Sequence, residues 1–341
     1  MDPILDVFGS DAFSVISLTA AINKMPFVPG RAGRLGIFEE SGVPTTSIAL
    51  EELAGTIALI PNTARGAVVP QNTPDKRTMR TLTIPHLPVQ DTVKADELQN
   101  VRAFGQGAGL SGAQATINQR MQRMTTALDA TLEYGRIGAI KGVIYDSNGS
   151  TVIYNLFTEF GVTQSTTDFV LGTTTTDIIG KCTDTAGVIE DELGAGVYDH
   201  IHVFCGKTFW KSFISHTAVK DAFKYFEQTG QNMNPLREDL RYKGFQFGGM
   251  VFEQYRGKVG SVGFVADAEA HAFPVGVPGL FQTAFAPADY VETANTIGLP
   301  RYAKIGQDPS GMNKFVLLET QTNPLSICTR PKVLVKLTTS N

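Results

Sequence analysis

Two extended arms facing each other across a long polar tip constrain this chain more than any other feature. Ile48-Ala49-Leu50 and Thr56-Ile57-Ala58-Leu59-Ile60 make one arm. Met79-Arg80-Thr81-Leu82-Thr83-Ile84 makes the other, and Pro61 to Asp75, punctuated by Gly and Pro, lies between them. A two-stranded projection cannot bury both of its faces alone, and an isolated hairpin is marginal in water. The stretch from Ile48 to Leu87 therefore has to lie on something else, and a second copy of the same chain is the first candidate. This is a sequence that reads as self-assembling before it reads as anything else.

At 341 residues the chain can hold two or more domains. Charged residues make up only 18% of it, a low share. With 34 Gly and 17 Pro, that points to many turns and to surface covered by partners. The formal net charge of -4 gives no basic footprint for nucleic acid. Cys182, Cys205 and Cys328 are far apart and odd in number, so neither a disulfide framework nor a thiolate metal site is expected, and a reducing cytoplasm fits. Met1-Asp2-Pro3 lacks the basic start of a signal peptide. No apolar run approaches the ~20 residues that span a bilayer.

Residues 1–44 read as an arm. Ser17 to Lys24 can form two helical turns, and Pro26, Pro29, Gly30, Gly33 and Gly36 break the stretch that follows, up to Phe38. Phe8, Phe13, Phe27 and Phe38 are strewn along the arm without periodicity, which suits a segment lying along a larger surface. Further on, Ser111 is a candidate N-cap. From there Ile117, Met121, Met124, Leu128 and Leu132 form one apolar stripe of an amphipathic helix that Gly142 ends. At 1.5 Å per residue that helix is roughly 40 Å long. A Met-bearing stripe at this spacing is core rather than a cofactor box.

Asn148-Gly149 between Val143-Ile144-Tyr145 and Val152-Ile153-Tyr154 predicts a hairpin. Thr176 to Leu193 and Phe209 to Phe226 read as helices, and Ile201 to Phe204 as a strand. Tyr242 to Ala266 is strand-rich, and Lys314 to Thr320 and Val333 to Leu337 are the last strands. Short strands with segregated helices indicate an α+β fold.

Few residues suggest chemistry. Gly107-Ala108-Gly109-Leu110-Ser111-Gly112 matches a dinucleotide-binding turn at the start of a helix. The preceding strand is weak, however, and the candidate ribose-binding acid, Asp146, comes too late. A hinge explains the glycines better. His200 and His202 share a strand face and could ligate a metal, but no third ligand is evident. Glu190, Asp191 and Glu192 read as a solvated helix end, and Asp267, Glu269 and His271 as a loop rim. Arg65, Lys76, Arg77 and Arg80 make the extended loop locally basic. That charge serves either solubility or docking on an acidic face of a neighbouring subunit.

Several short motifs, in order, resemble the major capsid protein E family of tailed phages, the lambda-like coat proteins. They are Leu18 to Lys24, Pro29-Gly30, Phe38 and Val43-Pro44-Thr45-Thr46 at the front. Glu51 to Gly55, Pro61, Arg65-Gly66 and Ile84-Pro85-His86 fall where that family builds its loop. Val203-Phe204, Phe213, Ala218-Val219-Lys220, Tyr242-Lys243-Gly244, Pro324-Leu325 and Pro331 to Leu337 complete the resemblance over the whole chain. It implies an HK97-like α+β capsid fold. The parts would be an N-terminal arm over 1–44, an extended β-hairpin E-loop over 45–95, and a P-domain over 96–175 with a spine helix at 113–141 and the β-hairpin. A mainly A-domain stretch over 176–285 and strands returning to the P-domain over 286–341 would follow.

The implied function is a shell subunit forming the hexamers and pentamers of an icosahedral head, assembled in the host bacterial cytoplasm. Its implied partners are itself, a scaffolding protein, a portal, a decoration protein and loosely held double-stranded DNA, with no membrane, metal or cofactor. A mildly acidic subunit suits a container that must not adhere to its cargo. Contacts between subunits are expected from Arg65, Lys76, Arg77 and Arg80 in the loop and from Phe8, Phe13, Phe27 and Phe38 in the arm. No charged helical extension precedes the arm, which favours a separate scaffold. Lys76 and Asn72 sit at the loop tip, but nothing selects them for the covalent crosslink some relatives of the fold make. The competing expectations are an encapsulin-like compartment of the same fold and a nucleotide-binding enzyme using the glycine motif.

Overall fold

A computed structural model of the chain describes residues 14–24, 30–53, 77–98, 109–194, 196–228 and 244–340. Its axis is the helix Gly109–Lys141, 33 residues long and so about 50 Å from end to end. Ile117, Met121, Met124, Leu128 and Leu132 are all buried along it, as the stripe predicts, and Ile137 and Ile140 continue the buried face. The helix starts earlier than 113, so Ser111 lies within its first turn instead of capping it. The four N–H groups of a first turn have no intrahelical partner in any case, and such a turn tolerates most residues.

The largest sheet has six strands, in the order Ser165–Asp168, Val335–Thr338, Ala270–Val275, His200–Cys205, Met250–Gln254, Phe245–Phe247. Its pairing is mixed: two pairs are parallel and three antiparallel. Ala270–Val275 is buried at every position, the signature of a strand covered on both faces. The helices Ile178–Leu193 and Lys207–Ser215 pack against this sheet through Cys182, Ile189, Phe209 and Phe213. Phe213 and Phe252 stack with ring centroids 4.2 Å apart.

Two smaller sheets lie along the long helix. One places Phe281–Phe285 between Phe38–Gly42, parallel to it, and Pro324–Cys328, antiparallel. The other places Phe315–Thr322 between Tyr302–Gln307 and Leu87–Lys94, both antiparallel. The helix Val15–Lys24 closes a small separate core with this second sheet, built from Leu18, Ile22, Val93, Ile117, Met121, Met124, Ala303 and Leu318. The expected hairpin forms as Val143–Tyr145 and Val152–Asn155. Asn148 Oδ1 accepts from Ser150 N–H and Thr151 N–H, and Gly149 takes the positive φ of 72° that the turn needs.

Four expectations are corrected. Phe38 does not lie loose in an arm: it sits in a body strand, 5.2 Å from the Phe281 ring. The stretch broken by glycines still contains one short helix, Arg31–Leu35, which Gly36 ends in a left-handed conformation. The single helix expected over 209–226 is two, Lys207–Ser215 and Thr217–Gln228. His216 divides them because its backbone is extended, with ψ 137°, and its Nε2 hydrogen-bonds the Thr173 carbonyl at 3.0 Å. Leu87–Lys94, expected within the loop, is a full partner of Phe315–Thr322.

Candidate assembly surfaces

The two predicted arms pair as antiparallel strands, Ser47–Leu53 with Arg77–Thr83, in register from Ser47 opposite Thr83 to Leu53 opposite Arg77. They pair only with each other among the described residues. Three contacts fasten their base to the body. Leu82 and Ile84 enter the main core. Tyr154 Oη donates to the Thr83 carbonyl and accepts from Thr83 N–H, both at 2.9 Å. Arg80 Nη2 donates to the Phe160 carbonyl at 3.3 Å, and its guanidinium lies 5.3 Å from the centre of the Phe160 ring.

Arg80, expected to contact a neighbouring subunit, also makes these contacts within its own chain. An arginine stem can lie on an aromatic face while its N–H groups reach a carbonyl. Arg65 and Lys76 fall outside the described residues, and only the backbone of Arg77 is described. Phe8, Phe13 and Phe27 also fall outside them.

Apolar side chains stand exposed around the smaller core. Ile16 on the helix Val15–Lys24 is 82% exposed, Val291 92%, Ile297 68% and Met312 68%. The loop carrying Val291 and Ile297 is firmly built. Thr293 Oγ1 donates to the Ala288 carbonyl at 2.8 Å, Gly298 N–H donates to the Val43 carbonyl at 3.0 Å, and Leu299 N–H donates to Tyr302 Oη at 2.8 Å. A Cβ on Gly298 would collide with the Phe285 carbonyl, so only glycine fits that close approach. Apolar groups held outward by a rigid loop mark a contact surface better than scattered ones do.

Sequence reasoning missed a line of buried charges on the long helix. Asp129, Glu133 and Arg136 are each at most 4% exposed and lie one helical turn apart. Asp129 takes a bidentate pair from Arg301, at 2.7 and 2.9 Å from Nη2. The Glu133 carboxylate accepts from Ala32 N–H at 2.7 Å, from Gly33 N–H at 3.1 Å and from Tyr255 Oη at 3.0 Å. Arg136 pairs with Glu40 and lies over the Phe38 ring. On the neighbouring strand, buried Glu253 receives Arg31 Nε at 2.7 and 2.9 Å and faces His202 Nε2 at 3.1 Å. The available signal was the spacing: three charges at helical period flanking an apolar stripe.

The chemistry candidates do not assemble into a site. Among the described residues no group of three His, Cys, Asp or Glu side chains could hold a metal. The stretch 99–104 weighed as the strand before the glycine motif falls outside the described residues. The last described strand before it, Leu87–Lys94, is antiparallel to its partner and is followed by the short helix Ala95–Leu98, unlike the parallel strand-turn-helix of a dinucleotide unit. His271 is no loop rim: it lies buried in Ala270–Val275. Burial pushes its imidazole down to about 3, with Lys141 and Lys336 adding to the shift. Burial also pushes the Cys182 and Cys328 thiols up to about 12, which leaves them protonated and unreactive. Glu190 and Glu192 pair with Tyr198 and Lys332 at the helix surface.

A long helix flanked by small sheets, a mixed sheet under helices, and a projecting strand pair define an HK97-like capsid subunit. A crystal structure described as that of a prophage capsid protein from E. coli CFT073 matches it with a TM-score of 0.59, 14% identity, and coverage of 94% of this chain and 97% of that one. The model of the family described as phage major capsid protein E matches residues 14–339. The major capsid protein of Pseudomonas phage KPP10 is 30% identical over 95% of this chain and 96% of its own length. That of Salmonella phage Felix O1 is 25% identical over 95% of both. The chain belongs to the phage major capsid protein E family: it is a tailed-phage coat protein, and its place is the capsid of the virion.

Proposed function

We propose that the chain acts mechanically, as the repeated tile of an icosahedral head. Copies join into hexamers and pentamers that enclose double-stranded DNA. The observation that carries this reading is the strand pair Ser47–Leu53 and Arg77–Thr83, which among the described residues pairs with no other strand and whose described contacts with its own body run from Arg80 to Ile84. Beyond those contacts, both faces need cover from a neighbour. Arg65, Lys76 and Arg77 meet carboxylates or carbonyl groups of that neighbour, and the exposed side chains Ile16, Val291, Ile297 and Met312 are covered by adjacent subunits. Each contact is modest, and closure makes contacts numerous. A scaffolding protein and a portal complete the assembly. With a net charge of -4 the subunit holds DNA loosely. No chemical step and no covalent crosslink is assigned to it.

Electron microscopy of the purified protein with its scaffold tests the reading. Closed shells with fivefold and sixfold capsomers are expected. A protein that stays a 36.8 kDa monomer at high concentration would overturn it. Reversing Arg65, Lys76 and Arg77 together to Glu should block assembly while circular dichroism of the subunit stays unchanged. Normal shells from that variant would remove loop charge from the docking account.

A further inference from the structure

We propose that the buried charges along the spine helix are positioning residues for shell assembly: they set the register at which the N-terminal strap, the described residues between 15 and 42, lies on that helix. The proposal rests on the shell reading above.

Phe38–Gly42 of the strap is held by its strand pairing with Phe281–Phe285, and charged side chains add pins at four places. Arg301, held by Asp129, donates from Nη1 to the Ile22 carbonyl at 3.1 Å, and Asn23 Nδ2 donates to the Arg301 carbonyl at 2.8 Å. Glu253 holds Arg31. Glu133 takes the first free N–H groups of the helix Arg31–Leu35, and a Cβ on Gly30 would collide with that carboxylate, so the chain passes directly over it. Arg136 holds Glu40. The partners lie 172, 101 and 96 residues from Asp129, Glu133 and Arg136 along the chain.

Upstream of Phe38–Gly42, where the described residues of the strap make no strand pairing, an apolar seam alone would not fix this register. Hydrophobic contact is non-directional, and successive turns of the helix offer similar surfaces about 5.4 Å apart. A slip of one turn would leave buried charges unpaired, the costliest kind of packing error. Replacing a buried ion pair by apolar groups of similar size is often neutral or stabilising, so the pairs add less to stability than to the choice of one arrangement. That choice sets where Ile16, exposed on the strap, stands relative to Val291 and Ile297 on the body. An error there is repeated in every copy of a closed shell.

The test uses the full chain and two paired substitutions at separate pins: Asp129→Leu with Arg301→Met, and Glu40→Leu with Arg136→Met. Each subunit should melt within about 4 °C of the wild type. Hydrogen exchange at amides 31–35 should quicken in both while the six-stranded sheet keeps its protection. Closed-shell yield should fall about tenfold or more, the loss from a contact weakened by ~1.4 kcal/mol. Wild-type yield and shape from either folded variant would overturn the proposal. Unfolding of both subunits would overturn it too, because the charges would then be stabilisers. If the wild type itself made no shells, the shell reading would fall first and this proposal with it.

Discussion

The region around the six-stranded sheet and the region around the second three-stranded sheet are built to different standards of self-sufficiency. In the first, Phe204, Phe209, Phe213, Phe252 and Phe273 are all fully buried, and rings meet at 4.2 to 6.4 Å. In the second, among the described residues, eight buried side chains with Val89 and Ile305 packed against them make the core, and Ile16 on its helix and Met312 between two of its strands stand in solvent. The first region closes a large core with its own residues, and the exposed apolar side chains on its helices, Ile179 and Ile214, lie outside that core. The other leaves apolar side chains in solvent beside a small core, and on the proposed function further copies cover them. Stability and assembly are thus written in different parts of one chain, joined by a helix that runs through both.

The comparison can be broken most forcefully at the aromatic stack. Phe252→Ala should cost about 3–5 kcal/mol of subunit stability, a large share of the ~5–15 kcal/mol a domain has. Met121→Ala, in the small core, should cost about 2 kcal/mol, the low end for such truncations, because partial cover lets the site relax. Urea titration of the two isolated subunits measures both. Equal losses would erase the distinction between the regions.

Acid sharpens it. The folded pKa of His271, about 3, lies below the ~6.5 of a free imidazole, so the unfolded chain takes up a proton first as the pH falls. The stability carried by neutral His271 is complete above about pH 6.5 and is lost as the pH falls from there to its folded pKa of about 3. Denaturant titrations at several pH values should show the wild type losing stability through that window. His271→Leu should lose less, because leucine takes up no proton on unfolding. An unchanged acid limb would show that carboxylates or other histidines govern it.

The smallest effect is expected at Arg120, which pairs with Asp91 at 2.7 Å and with Glu97 beside the small core. These groups are 25–37% exposed, so Arg120→Ala should cost about 0–1 kcal/mol. A larger loss in thermal melts would mean that surface charge, more than its apolar core, holds this region.

Local signals carried the strand pair, the long helix and the Asn148-Gly149 turn, because each is dictated by residues within a few positions. The strands Phe281–Phe285 and Pro324–Cys328 went unread. Pro324–Cys328 is buried at all five positions, so no alternation marks it, and its partners come from distant parts of the chain. Phe38 looked like arm because its partner strand begins at Phe281, far along the chain. Asp129, Glu133 and Arg136 went unread, because charge on a helix is usually solvent-facing and their partners lie far along the chain. The contact of Arg80 with Phe160 went unread because nothing local says that Phe160 lies beneath it.

Hydrogen exchange of the isolated subunit against the assembled shell tests the division of labour most directly. Assembly should add protection at Ser47–Leu53 and Arg77–Thr83, on Val15–Lys24 and at residues 287–300, and should leave His200–Cys205 and Ala270–Val275 as they were in the monomer. Protection gained chiefly in the six-stranded sheet, with the strand pair unchanged, would contradict the account.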